Sequence, residues 1–179
     1  MLTSALLTVH LVGMSIGLGG ATIGDLAVLS ALRDHRPIPD ALLRLVSYCI
    51  WGGLAILFVS GLDLFVIQPS LYLSSTGFIA KMLMVAALVI NGLILHRRTK
   101  SVHFDPRFLL LGAVSVVSWY GSLVAAMFKS HLDLPVIAWI GLYLIAVAGT
   151  WWLIRALVQR WSRQEAHPSV SVEDGQAMV

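Results

Sequence analysis

Apolar residues run along this chain in five long blocks broken by short polar linkers. The blocks fall at roughly 3–32, 41–67, 77–96, 107–128 and 135–158, each near the ~20 residues that cross a hydrocarbon core as a helix. "RDHRPIPD", "QPSLYLSST", "RRTKSVHFDP" and "KSHLDL" separate them. This pattern predicts an all-α, polytopic membrane bundle of five transmembrane helices, a single domain over 1–158. The stretch ending in "RQEAHPSVSVEDGQAMV" has too few apolar residues to bury, so 159–179 reads as a polar, disordered tail.

Local signals mark the helix starts. Asp40 follows Pro39, and Asp105 precedes Pro106, the arrangement of an N-cap followed by proline at the first helical position. Asp133 and the Ser74-Ser75-Thr76 run are placed to do the same for the fifth and third helices. Capping, rather than catalysis, is the role expected of these aspartates. The first block lacks a basic n-region and is longer than the ~7–15 residues of a signal-peptide core, so it reads as a retained helix.

Charge sets the expected orientation. Arg33, Arg36 and Arg44 flank the first linker; Arg97, Arg98, Lys100 and Arg107 flank the third; Arg155, Arg160 and Arg163 follow the last helix. Lys81 and Lys129 lie at the opposite ends. Every second boundary is basic, which places the N-terminus outside and the C-terminus in the cytoplasm.

Composition agrees with the pattern. The chain is 58% hydrophobic and 12% charged, against ~25% charged in ordinary soluble domains, and its mean hydropathy is +0.87. The lipid bilayer is therefore its expected surroundings. A formal charge of +3 does not indicate nucleic acid, because the basic residues sit at helix ends. No Walker loop, zinc-finger spacing or dinucleotide fingerprint is present. The single cysteine, Cys49, excludes an internal disulfide.

Candidate chemistry concentrates in "HLVGMSIGLGGATIGD", residues 10–25. Gly13, Gly17, Gly20 and Gly24 recur at spacings of four, three and four, so they share one helical face. Such a stripe serves close helix packing, since two GxxxG steps let a neighbouring backbone approach. It also suits a flat cofactor, with His10 as a metal ligand on the same face and Met14 one turn on. An intramembrane histidine either hydrogen-bonds a neighbouring helix or serves as a ligand or proton carrier. Asp25 lies at a depth similar to Asn91 on the third helix, and an Asp25–Asn91 hydrogen bond would relieve its desolvation.

Depth-matching groups His10, Asp63, Lys81, Lys129, His131 and Asp133 on the outer side, a half-buried site with His10 deepest. His10, Met14, Met82, Met84 and Met127 are soft ligands of the kind that suit Cu(I), though methionine is also a common apolar filler. On the inner side His35, His96 and His103 accompany arginines that complement helix dipoles and anionic headgroups. Trp139, Trp151, Trp152 and Trp161 have the positions of interface anchors. Trp119 and Tyr120 are mid-span; packing is the expected role, with a porphyrin face as the alternative.

The segments "HLVGMSIGLGG", "VSGLDLFVIQPSL" and "GFIAKMLMVAALVINGLILHRR" give the first hundred or so residues a resemblance. They resemble the copper-resistance D-type and HemJ-type protoporphyrinogen oxidase group of small bacterial membrane proteins. The resemblance implies a helical bundle in the bacterial inner membrane. On the HemJ side it implies haem b, with His10 and Lys81 at the positions of an essential first-helix histidine and third-helix lysine. On the copper side it implies copper handling across that membrane. Leu18 stands where the group would have tryptophan, and the fifth helix is additional to a four-helix core.

Three functions follow as expectations. The first is a haem-binding, redox-linked protein, an oxidoreductase in the enzymatic case, with His10 and Lys81 as catalytic residues and Gly13, Gly17, Gly20, Trp119 and His131 around the cofactor. The second is transport of copper, through His10 and Met14, or of a small solute, or an accessory role in it. The third is a cofactor-free structural or assembly subunit whose glycine stripe docks a partner helix, from another membrane subunit or from a second copy.

Overall fold

The structure, a computed structural model, describes residues 2–34, 36–98, 106–128 and 134–166. His35, His103, Asp105, Lys129, His131 and Asp133 lie outside the described residues. The elements are α1 (Leu2–Asp34), α2 (Asp40–Ile67), α3 (Pro69–Leu73), α4 (Thr76–Arg98), α5 (Pro106–Phe128) and α6 (Val136–Ala166). All are helical, and five, every one but α3, are long and apolar enough to cross a membrane. The protein is an all-α integral membrane protein, as its apolar blocks predict.

Three details differ from expectation. Asp40 is not a cap: Pro39 holds that position and makes no side-chain capping bond, while Asp40 lies in the first helical turn. There its charge favours the positive end of the helix dipole. Ser75, in contrast, does cap α4, accepting a hydrogen bond from the Phe78 N–H at 3.3 Å. The second linker contains a helix of its own, α3, which begins with Pro69 at its first position. And α6 runs to Ala166, past the point where the apolar run stops. Arg, Gln, Glu and Ala are good helix formers, so loss of hydropathy does not end the helix there.

The bundle is built from two antiparallel hairpins. α1 lies against α2 over most of its length, and α4 against α5. The contact of α1 with α5 joins the hairpins, and α6 packs outside, on α5 and α4. Only 6% of the apolar stretch of α6 is buried, so that helix is mostly a lipid-facing wall.

The α1–α2 seam is set by small residues in register. A Cβ placed on Gly13 would meet Ile56 Cγ2 at 2.7 Å, one on Gly20 would meet Cys49 Cβ at 2.6 Å, and one on Gly24 would meet Val46 Cγ1 at 2.8 Å. On the other helix, a Cβ on Gly53 would lie 2.5 Å from the Gly17 nitrogen and 2.8 Å from the Gly13 carbonyl oxygen. Positions 13, 17, 20 and 24 therefore face 56, 53, 49 and 46, an antiparallel zipper in which missing side chains let backbones touch. Trp119 of α5 closes the seam from the side. It is 1% exposed, its ring edge lies against Gly17, and it packs with Ala21 and Leu88. Trp139 is likewise core rather than an interface anchor, 5% exposed among Ala80, Ala125 and Leu134. Trp152 is exposed on α6, as an anchor would be.

Side-chain hydrogen bonds cross from helix to helix at several points. His10 meets Ser60 between α1 and α2. Thr22 meets Tyr120 between α1 and α5 at 2.9 Å. Asn91 Nδ2 donates to the Leu111 carbonyl between α4 and α5 at 2.9 Å, and Ser118 meets Tyr143 between α5 and α6 at 2.9 Å. The expected Asp25–Asn91 bond is not formed: the Asn91 amide is spent on α5, and its Oδ1 is buried without a partner.

Candidate functional site

The glycine zipper ends at His10. The next rung of the same register brings its ring to Ser60, with Nδ1 2.9 Å from Oγ. Ser60 is 2% exposed, and its hydroxyl donates to the Ile56 carbonyl one turn back at 2.6 Å. A serine hydroxyl has a single proton. With that proton on the Ile56 oxygen, the bond to His10 requires Nδ1–H as donor. In the neutral ring this is the Nδ1–H tautomer, whose Nε2 carries the lone pair. Thr22 works the same way: its hydroxyl donates to the Leu18 carbonyl at 2.8 Å, so the Tyr120 hydroxyl must donate to it.

Gly61 makes room for the imidazole, since a Cβ there would lie 3.3 Å from His10 Cε1. Lys81, in the second turn of α4, is near enough for its ammonium to act electrostatically on the ring. So the field of Lys81 reaches the His10 ring, which Ser60 orients. Ser60 was not among the expected site residues, although a serine inside a strongly apolar helix is itself a signal of interhelical bonding. Trp119 packs at Gly17, two turns deeper than His10, and His131 lies outside the described residues.

The other site expectations change. A haem b ring does not fit the face of Gly13, Gly17 and Gly20, because α2 backbone, Ile56, Cys49 and the Trp119 indole already fill it. For the same reason that stripe is not open to a partner subunit. Trp119 is a core residue rather than the wall of a ring pocket. Met14 packs against the Trp119 cluster, Met84 is buried with its sulfur 3.3 Å from where a Gly121 Cβ would sit, and Met82 and Met127 are exposed. The methionines are thus spread over core and surface instead of gathered round His10. Among the described residues no three His, Cys, Asp or Glu side chains are grouped to hold a metal ion.

Chemically, the arrangement offers an oriented imidazole within the field of an ammonium, inside a membrane-spanning bundle. A bare cation gains little from such a neighbour, because the ammonium repels it. A weak acid gains from both groups: the lone pair accepts its proton and the ammonium attracts the resulting anion. No family model matches the chain, and neither a curated protein nor a solved structure does.

Proposed function

We propose that this integral membrane protein, placed in a bacterial inner membrane, binds a small carboxylate-bearing solute at His10 and Lys81 as part of its transport or of an accessory step in it. The observation that carries the reading is the single proton of Ser60. Committed to the Ile56 carbonyl, it leaves His10 Nε2 as an acceptor within the field of Lys81. A carboxylic acid docking there passes its proton to Nε2: the O–H bond breaks, an N–H bond forms, and the carboxylate then lies against an imidazolium and an ammonium. Solute binding and proton uptake are in this way one event.

The test is calorimetric titration of the detergent-purified protein with benzoate at pH 7, in two buffers of different ionisation enthalpy. Wild type should bind saturably, with a heat that depends on the buffer because a proton is drawn from it. Lys81→Gln should weaken binding by about tenfold or more, the equivalent of one lost charge-assisted contact. His10→Ala should remove the buffer dependence. Absence of binding in wild type, or equal affinity in Lys81→Gln, would exclude this function.

A further inference from the structure

A second cluster of donors, remote from His10, lies on the arginine-rich end of α6. Trp151, Trp152, Arg155, Ala156 and Gln159 line a shallow cleft of about 260 Å³. The Arg155 guanidinium is held over the Trp151 ring, 5.5 Å from its centroid. That contact restrains the guanidinium beside the ring, and N–H groups turned away from the ring can serve an acceptor. The Trp151 indole nitrogen is buried and has no hydrogen-bond partner. The same holds for the indole nitrogens of Trp119 and Trp139, so this N–H belongs to the packed side of the ring and the cleft is lined by its face and edge. Of the residues lining the cleft, none is acidic, and the exposed Trp152, Arg155 and Gln159 carry N–H donors. The missing component is an anion rich in acceptor oxygens.

We propose that this cleft binds the phosphodiester of an anionic phospholipid. A phosphate group supplies acceptor oxygens for Arg155, Gln159 and the exposed Trp152 indole. The lipid is the source, rather than free phosphate, because the cleft sits on a membrane-spanning helix whose apolar stretch is almost wholly unburied by protein. Trp152, 67% exposed, and Leu153, 53% exposed, continue the surface toward the apolar part of α6, where acyl chains lie. Arg160 and Arg163, exposed further along the helix, raise the local positive potential without lining the cleft.

Native mass spectrometry of the full chain, released from detergent after incubation with phosphatidylglycerol or phosphatidylcholine, tests the assignment. Wild type should retain one phosphatidylglycerol in preference to phosphatidylcholine. Arg155→Ala should bind it about tenfold more weakly. Gln159→Ala, which removes a cleft donor and keeps a good helix former, should also bind less, whereas Arg163→Ala should retain the lipid as wild type does. Helicity by circular dichroism, unchanged in each variant, confirms that a folded protein was measured. Equal retention of the two lipids, an undiminished signal in Arg155→Ala, or an equal loss in Arg163→Ala would overturn the site. Displacement of the lipid by millimolar inorganic phosphate would overturn its identity as a lipid site.

Discussion

Ser60 decides what His10 is able to do. Its oxygen accepts from the imidazole and its proton goes to Ile56, so deleting the hydroxyl frees Nδ1–H as well as breaking the bond. Ser60→Ala should lower stability by about 0.6–1.7 kcal/mol, the span measured for interhelical hydrogen bonds in a membrane protein. It should also release the tautomer. Nitrogen-15 spectra of the labelled imidazoles, with His10 assigned by its loss in His10→Ala, check this: wild type should give an unprotonated Nε2, and Ser60→Ala a mixture of the two neutral forms. An unchanged spectrum would mean that something other than Ser60 orients the ring. At this scale the sequence revealed His10 and Lys81, since ionisable residues stand out in apolar helices. It did not reveal Ser60 or Thr22 as relays, because whether a hydroxyl turns back to its own helix or across to another depends on how the helices meet. Asp25 shows the same limit: depth-matching suggested Asn91, but α5 reaches the Asn91 amide first.

Among helices, the stripe of glycines was legible as a face and ambiguous as a purpose, because spacing reveals a groove and not its occupant. The occupant is α2, and the most tightly closed point is Gly53. Its added Cβ would meet only backbone of α1, at Gly17 and Gly13, which has no flexible end to move. Gly53→Ala should therefore force the hairpin apart and cost about 1–3 kcal/mol, the usual penalty of overpacking. That range overlaps the effect of losing the His10–Ser60 bond and extends above it, so close packing and the hydrogen bond both hold this seam. Gly19 lies off the stripe, with open space where its Cβ would be. Gly19→Ala should be neutral or raise stability by up to about 1 kcal/mol through helix propensity alone. Unfolding of the two variants in mixed micelles checks both signs. A destabilised Gly19→Ala beside an unaffected Gly53→Ala would contradict the assigned register.

Across the whole molecule, the number of spanning helices was readable because each apolar block is long enough to span and each linker is too short to hide another crossing. Orientation rests on charge alone. Arg33, Arg36 and Arg44 lie around the first linker, Arg97 and Arg98 end α4, and Arg155, Arg160 and Arg163 follow α6, whereas Lys81 lies near the start of α4. In five alternating crossings the end of α1, the end of α4 and the end of α6 share one side, and these are the arginine-rich ends. Basic flanks are retained on the cytoplasmic side during insertion. The start of α1, and with it the near end of the His10–Lys81 site, should then face outward, so that the solute enters from outside. α1, with 33 residues, is about 50 Å long at ~1.5 Å per residue, more than a ~30 Å hydrocarbon core. Its first residues thus project into water and are available to a reagent. In a Cys49→Ala background, which keeps the Cβ that Gly20 meets, Thr3→Cys should react with a membrane-impermeant maleimide in intact cells. Ser162→Cys, near the end of α6, should react only after permeabilisation. The reverse labelling pattern would turn the site to the cytoplasm and require the solute to be taken from within.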